Sequence, residues 1–171
     1  MYHCFGCVLA SLSSFLVGAT LVFPSESFDP VKVVSAIHKY QGTVLYGVPT
    51  MMLEVLNASA ASAGDASPNK EGITTLRCLA MGGSPCPSTL VARLIQELKV
   101  SQFIIAFGMT ETSPVSFSTD TSDAKDIVCN TVGRVTDHVE AKVVETKSGK
   151  TVPIGEVGEI AVKGYSVMQG D

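Results

Sequence analysis

Gln102-Phe103-Ile104-Ile105-Ala106-Phe107-Gly108-Met109-Thr110-Glu111-Thr112-Ser113-Pro114 joins two textures. The run Gln102 to Ile105 is short, apolar and partly β-branched, which reads as a buried strand. The polar group after it therefore sits where a strand gives way to a loop, the place where open α/β sheets bind ligands. Gly108 permits a sharp turn and close approach of the backbone, Thr110 offers a hydroxyl, and Glu111 offers a carboxylate for a hard cation. Phe107 adds a flat apolar face. Together the four fit a metal-bound phosphate beside a planar ring.

Working outward, the same strand-then-turn unit occurs twice more. Thr43-Val44-Leu45-Tyr46 reads as a buried strand ending in Gly47-Val48-Pro49-Thr50, and Leu76 to Met81 as a strand ending in Gly82-Gly83-Ser84-Pro85. Helical patterns separate them. Asp29-Pro30 supplies an N-cap and a first-turn proline, with Val31, Val34, Ile37 and His38 on one face until Gly42. A short helix is expected over Met51 to Leu56, and another from about Pro87 to Lys99 with Leu90, Leu94, Ile95 and Leu98 on its apolar face. This alternation predicts an α/β fold, a mostly parallel sheet flanked by helices with right-handed crossovers. All three strand ends then line one crevice.

Beyond Ser113 the pattern changes. Asp120 to Asp126 reads as solvated loop, while His138 to Val144 and Gly158 to Lys163 alternate at period two around turn-rich sequence. An antiparallel β unit is expected there. The division is residues 1–118, carrying the crevice, and 119–171, the antiparallel portion of the same incomplete domain. Asn57 to Gly72, rich in Ala, Ser and Gly, reads as a surface loop, and its sequon Asn57-Ala58-Ser59 as incidental.

Composition narrows the function classes. With 171 residues, 46% hydrophobic and 16% charged, the chain can build a core, and a net charge of -4 gives no footprint for nucleic acid. Of five cysteines, Cys4 and Cys7 form a C-x-x-C without a second pair, so small buried thiols are expected instead of a zinc site or disulfides. Cys4 to Phe23 is uncharged and apolar, yet it is interrupted by Gly18 and lacks a basic flank. It reads as a buried helix followed by a strand at Leu21-Val22-Phe23, with no transmembrane anchor and no targeting segment. His38 reads as a satisfied residue on a helix flank.

The ordered set His3-Cys4-Phe5-Gly6, Tyr46-Gly47-Val48-Pro49-Thr50, Gly82-Gly83-Ser84, Phe107-Gly108-Met109-Thr110-Glu111, Val132-Gly133-Arg134 and Gly155 to Ile160 resembles the adenylate-forming, AMP-producing acyl-CoA synthetase superfamily. Within it, Met1 to Cys4, Leu45 to Gly47 and Gly164 to Met168 are most similar to the mitochondrial medium-chain acyl-CoA synthetases of the "family member 2" type. The resemblance implies an enzyme that joins a fatty or other carboxylic acid to ATP and passes the acyl group from acyl-AMP to coenzyme A, with Mg2+ as cofactor and an intracellular, mitochondrial setting.

By the same resemblance Glu111 is the magnesium ligand, Thr110 contacts the α-phosphate, and Phe107 stacks on adenine with Gly108 beside it. Phe107 stands where the family commonly has Tyr, which keeps the stacking surface and drops a hydroxyl. Gly82, Gly83 and Ser84 border the nucleotide, while His3, Val48 and Pro49 belong to the acyl and carboxylate pocket. The family's Pro-Lys phosphate loop, ribose aspartate and C-terminal adenylation lysine are missing from the 171 residues. The chain is therefore expected to be a central fragment of the large adenylation domain, inactive alone. The alternatives are a non-catalytic nucleotide- or acyl-binding module and a membrane-attached interaction protein.

Overall fold

The structure is a computed structural model that describes residues 3–62 and 73–170. Its first element is a π-helix, Phe5–Leu12, continued by one α-helical turn, α1 (Ser13–Leu16). From Gly18, whose φ is +66°, the chain leaves helical geometry. Leu21-Val22-Phe23 forms no strand, contrary to expectation, because it has no ladder partner and Pro24 follows it. Nor is the preceding helix wholly buried: Phe15, Leu16 and Val17 are 74%, 86% and 78% exposed.

Helix α2 (Pro30–Tyr40) starts as its sequence dictates. The Asp29 carboxylate accepts from the backbone N–H of Val31 at 3.0 Å and of Lys32 at 3.1 Å, satisfying two of the orphan donors of the first turn. It ends one residue before Gly42, at Gln41 in the left-handed region with φ +53°. Its inner face is Val33, Val34 and Ile37; Val31 points outward.

Strand β1 (Val44–Gly47) leads to helix α3 (Pro49–Ser62), β2 (Cys78–Gly82) to α4 (Ser88–Leu98), and β3 (Gln102–Phe107) to the loop quoted above. β1, β2 and β3 pair in parallel, with Leu45, Leu79 and Phe103 in one register row and Gly47, Met81 and Ile105 in another. Helix α3 runs further than Met51 to Leu56: the Ala-rich segment to Ser62 is helical, since alanine is the best helix former and Val55, Leu56 and Ser59 find burial. The sequon lies inside this helix with Ser59 buried. The rest of the expected loop, 63–72, lies outside the described residues.

Two short strands, β4 (Phe117–Ser118) and β5 (Arg134–Val135), extend the sheet in antiparallel fashion to give the order β1-β2-β3-β4-β5. Between them lies helix α5 (Lys125–Asn130), where loop was expected for the first residues. The acidic stretch has partners after all. Arg134 lies 2.9 Å from the Asp123 carboxylate, which is only 6% exposed, and Asp120 accepts from the Ser122 hydroxyl and backbone N–H. Those hydrogen bonds hold the Asp120 carboxyl below its usual pKa. β6 (Val139–Val144) and β7 (Glu159–Gly164) form the expected antiparallel hairpin, a separate sheet among the described residues.

The core lies between the sheet and α2, α3, α4 and α5. Val34, Met52, Val55, Leu79, Met81, Val91 and Leu94 are almost fully enclosed, joined by Phe103 and Ile105 from β3 and Val128 from α5. Each such side chain contributes about 1.5–3 kcal/mol by leaving water. β1 is an edge strand in this sheet, so Val44 and Tyr46 are exposed and the expected fully buried strand is only half-covered. All five cysteines are free thiols.

Two outcomes follow for stability. Leu94→Ala, at a site with 0% exposure, is expected to cost about 2–5 kcal/mol in urea unfolding, from lost transfer energy plus the cavity. Gly133 has φ +81° and a Cβ there would lie 2.1 Å from the Ser118 carbonyl oxygen, whereas Gly149 has φ +67° and open space. Gly149→Ala should therefore cost only about 1–2 kcal/mol for the left-handed backbone. Gly133→Ala should cost clearly more. Equal unfolding midpoints for the two variants would contradict the close approach.

Candidate nucleotide and acyl crevice

The parallel strands β1, β2 and β3 all run toward their glycine-bearing ends. At the end of β2, a Cβ on Gly82 would lie 2.4 Å from the Ala106 carbonyl oxygen, so the residue must be glycine for the strands to stay paired. Gly83 turns the chain with φ +82°, and a Cβ there would lie 3.4 Å from Val48 Cγ1. The Gly82-Gly83-Ser84 turn and the Val48-Pro49 turn are thus neighbours, as the sequence implied. Ser84 is exposed, and its carbonyl accepts the Cys86 thiol at 3.5 Å. Burial pushes the Cys86 thiol pKa up, which disfavours the reactive thiolate.

At the end of β3 the chain doubles back on itself. A Cβ on Gly108 would lie 2.0 Å from the Pro114 carbonyl oxygen, and the Ser116 N–H donates to the Phe107 carbonyl at 2.9 Å. Between them Thr110–Thr112 forms a 3-10 turn. Thr112 is the inward residue, 4% exposed: its hydroxyl contacts the Met109 N–H at 3.2 Å and the Met109 carbonyl at 3.1 Å. Thr110 and Glu111 consequently face outward. The Phe107 ring is half-buried and packs edge-on against Phe117, centroids 5.9 Å apart at 68°.

The N-terminal segment joins this site from the other end of the sequence. The Phe5 ring meets Tyr46 of β1 edge-on at 6.1 Å, and Cys4 Sγ lies 3.6 Å from Thr110 Oγ1. His3 is exposed, and its Nδ1 accepts the Phe5 N–H at 3.1 Å. In the neutral ring the proton then resides on Nε2, which is left free to donate to an oxygen. A third approach comes from the chain after β7, where the Met168 N–H donates to the Glu111 carbonyl at 2.9 Å.

Glu111 makes no ion pair among the described residues, and no group of three or more His, Cys, Asp or Glu there could hold a metal ion. A lone outward carboxylate suits magnesium that arrives with phosphate oxygens and water, since Mg2+ is commonly held by one or two carboxylates plus substrate phosphates. It does not suit a resident metal centre. The structure thus joins Cys4 to Thr110, with His3 beside Cys4, and Val48 to Gly83. Cys4 and Met168 were noted in sequence only as parts of motifs, and neither they nor Thr112 were given a site role; for Thr112 the Met109-x-x-Thr112 spacing, a side chain capping a turn three residues back, was the available signal.

Comparison with known proteins places the crevice in context. The sequence profile of the family described as AMP-binding enzyme matches residues 1–170. The chain is similar to an acyl-CoA ligase, SID4, of Ajellomyces capsulatus, 39% identical over 99% of this chain and 28% of the relative. It is also similar to the mitochondrial medium-chain acyl-CoA ligase ACSF2 of Bos taurus, 37% identical over 99% of this chain and 26% of the relative. Among solved structures, ATP-bound MatB of Rhodopseudomonas palustris superposes with a TM-score of 0.81 at 28% identity, covering 99% of this chain and 31% of that one. The anthranilate CoA ligase AuaEII, in complex with anthranoyl-AMP, shares the fold with a TM-score of 0.82 at 24% identity, over 96% of this chain and 30% of that one. The chain spans little more than a quarter of the length of these curated relatives. With the strand-end crevice, the mixed sheet and a profile match over residues 1–170 in agreement, the chain belongs to the AMP-binding enzyme family.

Proposed function

We propose that this chain supplies the nucleotide and acyl corner of an AMP-forming acyl-CoA ligase acting on a fatty or other carboxylic acid. The supporting observation is the outward pair Thr110 and Glu111 on a rigid turn at the end of β3, beside Phe107 and the glycine turn of β2. In the reaction, a carboxylate oxygen attacks the α-phosphorus of ATP and pyrophosphate leaves. The coenzyme A thiol then attacks the acyl carbon, and AMP leaves. Negative charge gathers on phosphoryl oxygens in the first step, so preorganised donors and a cation there lower the barrier most.

Thr110 donates its hydroxyl to the α-phosphate, Glu111 holds magnesium, and Phe107 offers its open face to adenine. Magnesium, when bound, neutralises charge on the phosphates. Gly82, Gly83, Ser84 and Gly108 let the backbone come close to the nucleotide, while Val48, Pro49 and the Nε2 side of His3 border the acid. The division at residue 118 separates the crevice from the 119–171 portion in this scheme. Likeness to the mitochondrial ACSF2 supports a mitochondrial setting, and no helix among the described residues is long and apolar enough to cross a membrane.

The tests use the full-length polypeptide carrying this sequence. Glu111→Gln should lower kcat/KM by about 10²–10³, the usual effect of removing one transition-state charge stabiliser, and raise the magnesium concentration for half-maximal rate. Thr110→Val should raise KM for ATP about 10-fold or more, as expected for a hydrogen bond to a charged group. Wild-type rates in Glu111→Gln at limiting magnesium would sink the assignment. ATP binding with no acyl-AMP under any acid would instead favour a binding module. The 171-residue chain alone is expected to form no acyl-AMP, checked with radiolabelled ATP and a medium-chain acid.

A further inference from the structure

Thr110 presents a hydroxyl that has one side-chain partner among the described residues, the Cys4 thiol at 3.6 Å. The two residues are separated by 106 positions, so neither local geometry nor a shared turn accounts for the contact. Both ends are independently anchored. Cys4 is held because the N–H groups of Gly6 and Cys7 both donate to the His3 carbonyl at 3.0 Å, and because Phe5 packs on Tyr46. Thr110 is held by the turn that Thr112 closes.

Between two fixed backbones, a thiol–hydroxyl contact selects among the staggered threonine rotamers, turning Oγ1 and not the methyl group toward Cys4. The direction of donation matters more than its strength. His3 Nδ1, 3.7 Å from the sulfur, already accepts the Phe5 N–H and competes poorly for the thiol proton. With S–H donating to Oγ1, the threonine keeps its own O–H proton for an anionic oxygen outside. An acceptor-only group at position 4 would consume that proton.

We propose that Cys4 is a positioning residue: its thiol fixes the Thr110 hydroxyl as a donor aimed out of the crevice. The proposal rests on the reading of Thr110 as a phosphate contact, and predicts that covalent blocking of Cys4 weakens ATP binding more than acid binding.

The test is a double-mutant cycle in the full-length polypeptide, with KM for ATP and for the acid as separate readouts. Cys4→Ala should raise KM for ATP about 3- to 10-fold, the effect of one modest hydrogen bond, with KM for the acid nearly unchanged. Cys4→Ser, which keeps an O–H donor, should restore most of the loss, and Cys4→Ala should add nothing in a Thr110→Val background. A wild-type KM for ATP in Cys4→Ala, failure of serine to rescue, or equal effects in both backgrounds overturns the proposal. If Thr110→Val itself leaves KM for ATP unaltered, the phosphate reading has failed. The contact is then judged by the rate of Cys4 alkylation by iodoacetamide, mapped by mass spectrometry. A changed rate in Thr110→Val upholds the contact, and an unchanged rate overturns it.

Discussion

The close approach of Gly108 to the Pro114 carbonyl is the constraint from which the working end of this molecule follows. A side chain at position 108 would occupy the space of that oxygen, so only glycine lets the chain fold back immediately after β3. Once it folds back, Ser116 returns its N–H to Phe107, and β4 can pair antiparallel with β3. The switch from parallel to antiparallel order and the projection of Thr110 and Glu111 are therefore one structural event. A second glycine, Gly133, repeats the device at Ser118 and admits β5.

Much of this was legible in the residues. Asp29-Pro30 announced α2, and the β2 and β3 strands were apolar runs closed by glycine. β4 and β5 were not legible, because two-residue strands have no periodicity and exist only through distant partners. β1 looked buried because an apolar run reads the same at the edge of a sheet as at its centre; position in the sheet is a tertiary fact. The helical extension of α3 was hidden by its Ala/Ser composition, which suits a loop and a helix alike.

The crevice residues divide in the same way. Phe107, Gly108, Thr110 and Glu111 could be singled out as candidates because their chemistry is local to one loop. Cys4 was passed over as a packing thiol because its partner lies across the whole crevice-forming portion of the chain. Among the described residues, Phe15, Leu16 and Val17, the side of β1 without a strand partner, and Ile154 and Val157 are open to further packing.

The bond from the Met168 N–H to the Glu111 carbonyl joins main chain to main chain. Nearly any amino acid at either position preserves it, since only proline lacks the donor. The segment after β7 and the loop after β3 are thus tethered by a bond that does not depend on which side chains stand at positions 111 and 168. Such a tether leaves no trace in substitution patterns except an avoidance of proline at position 168, and a motion of one segment is passed to the other as displacement of the backbone itself.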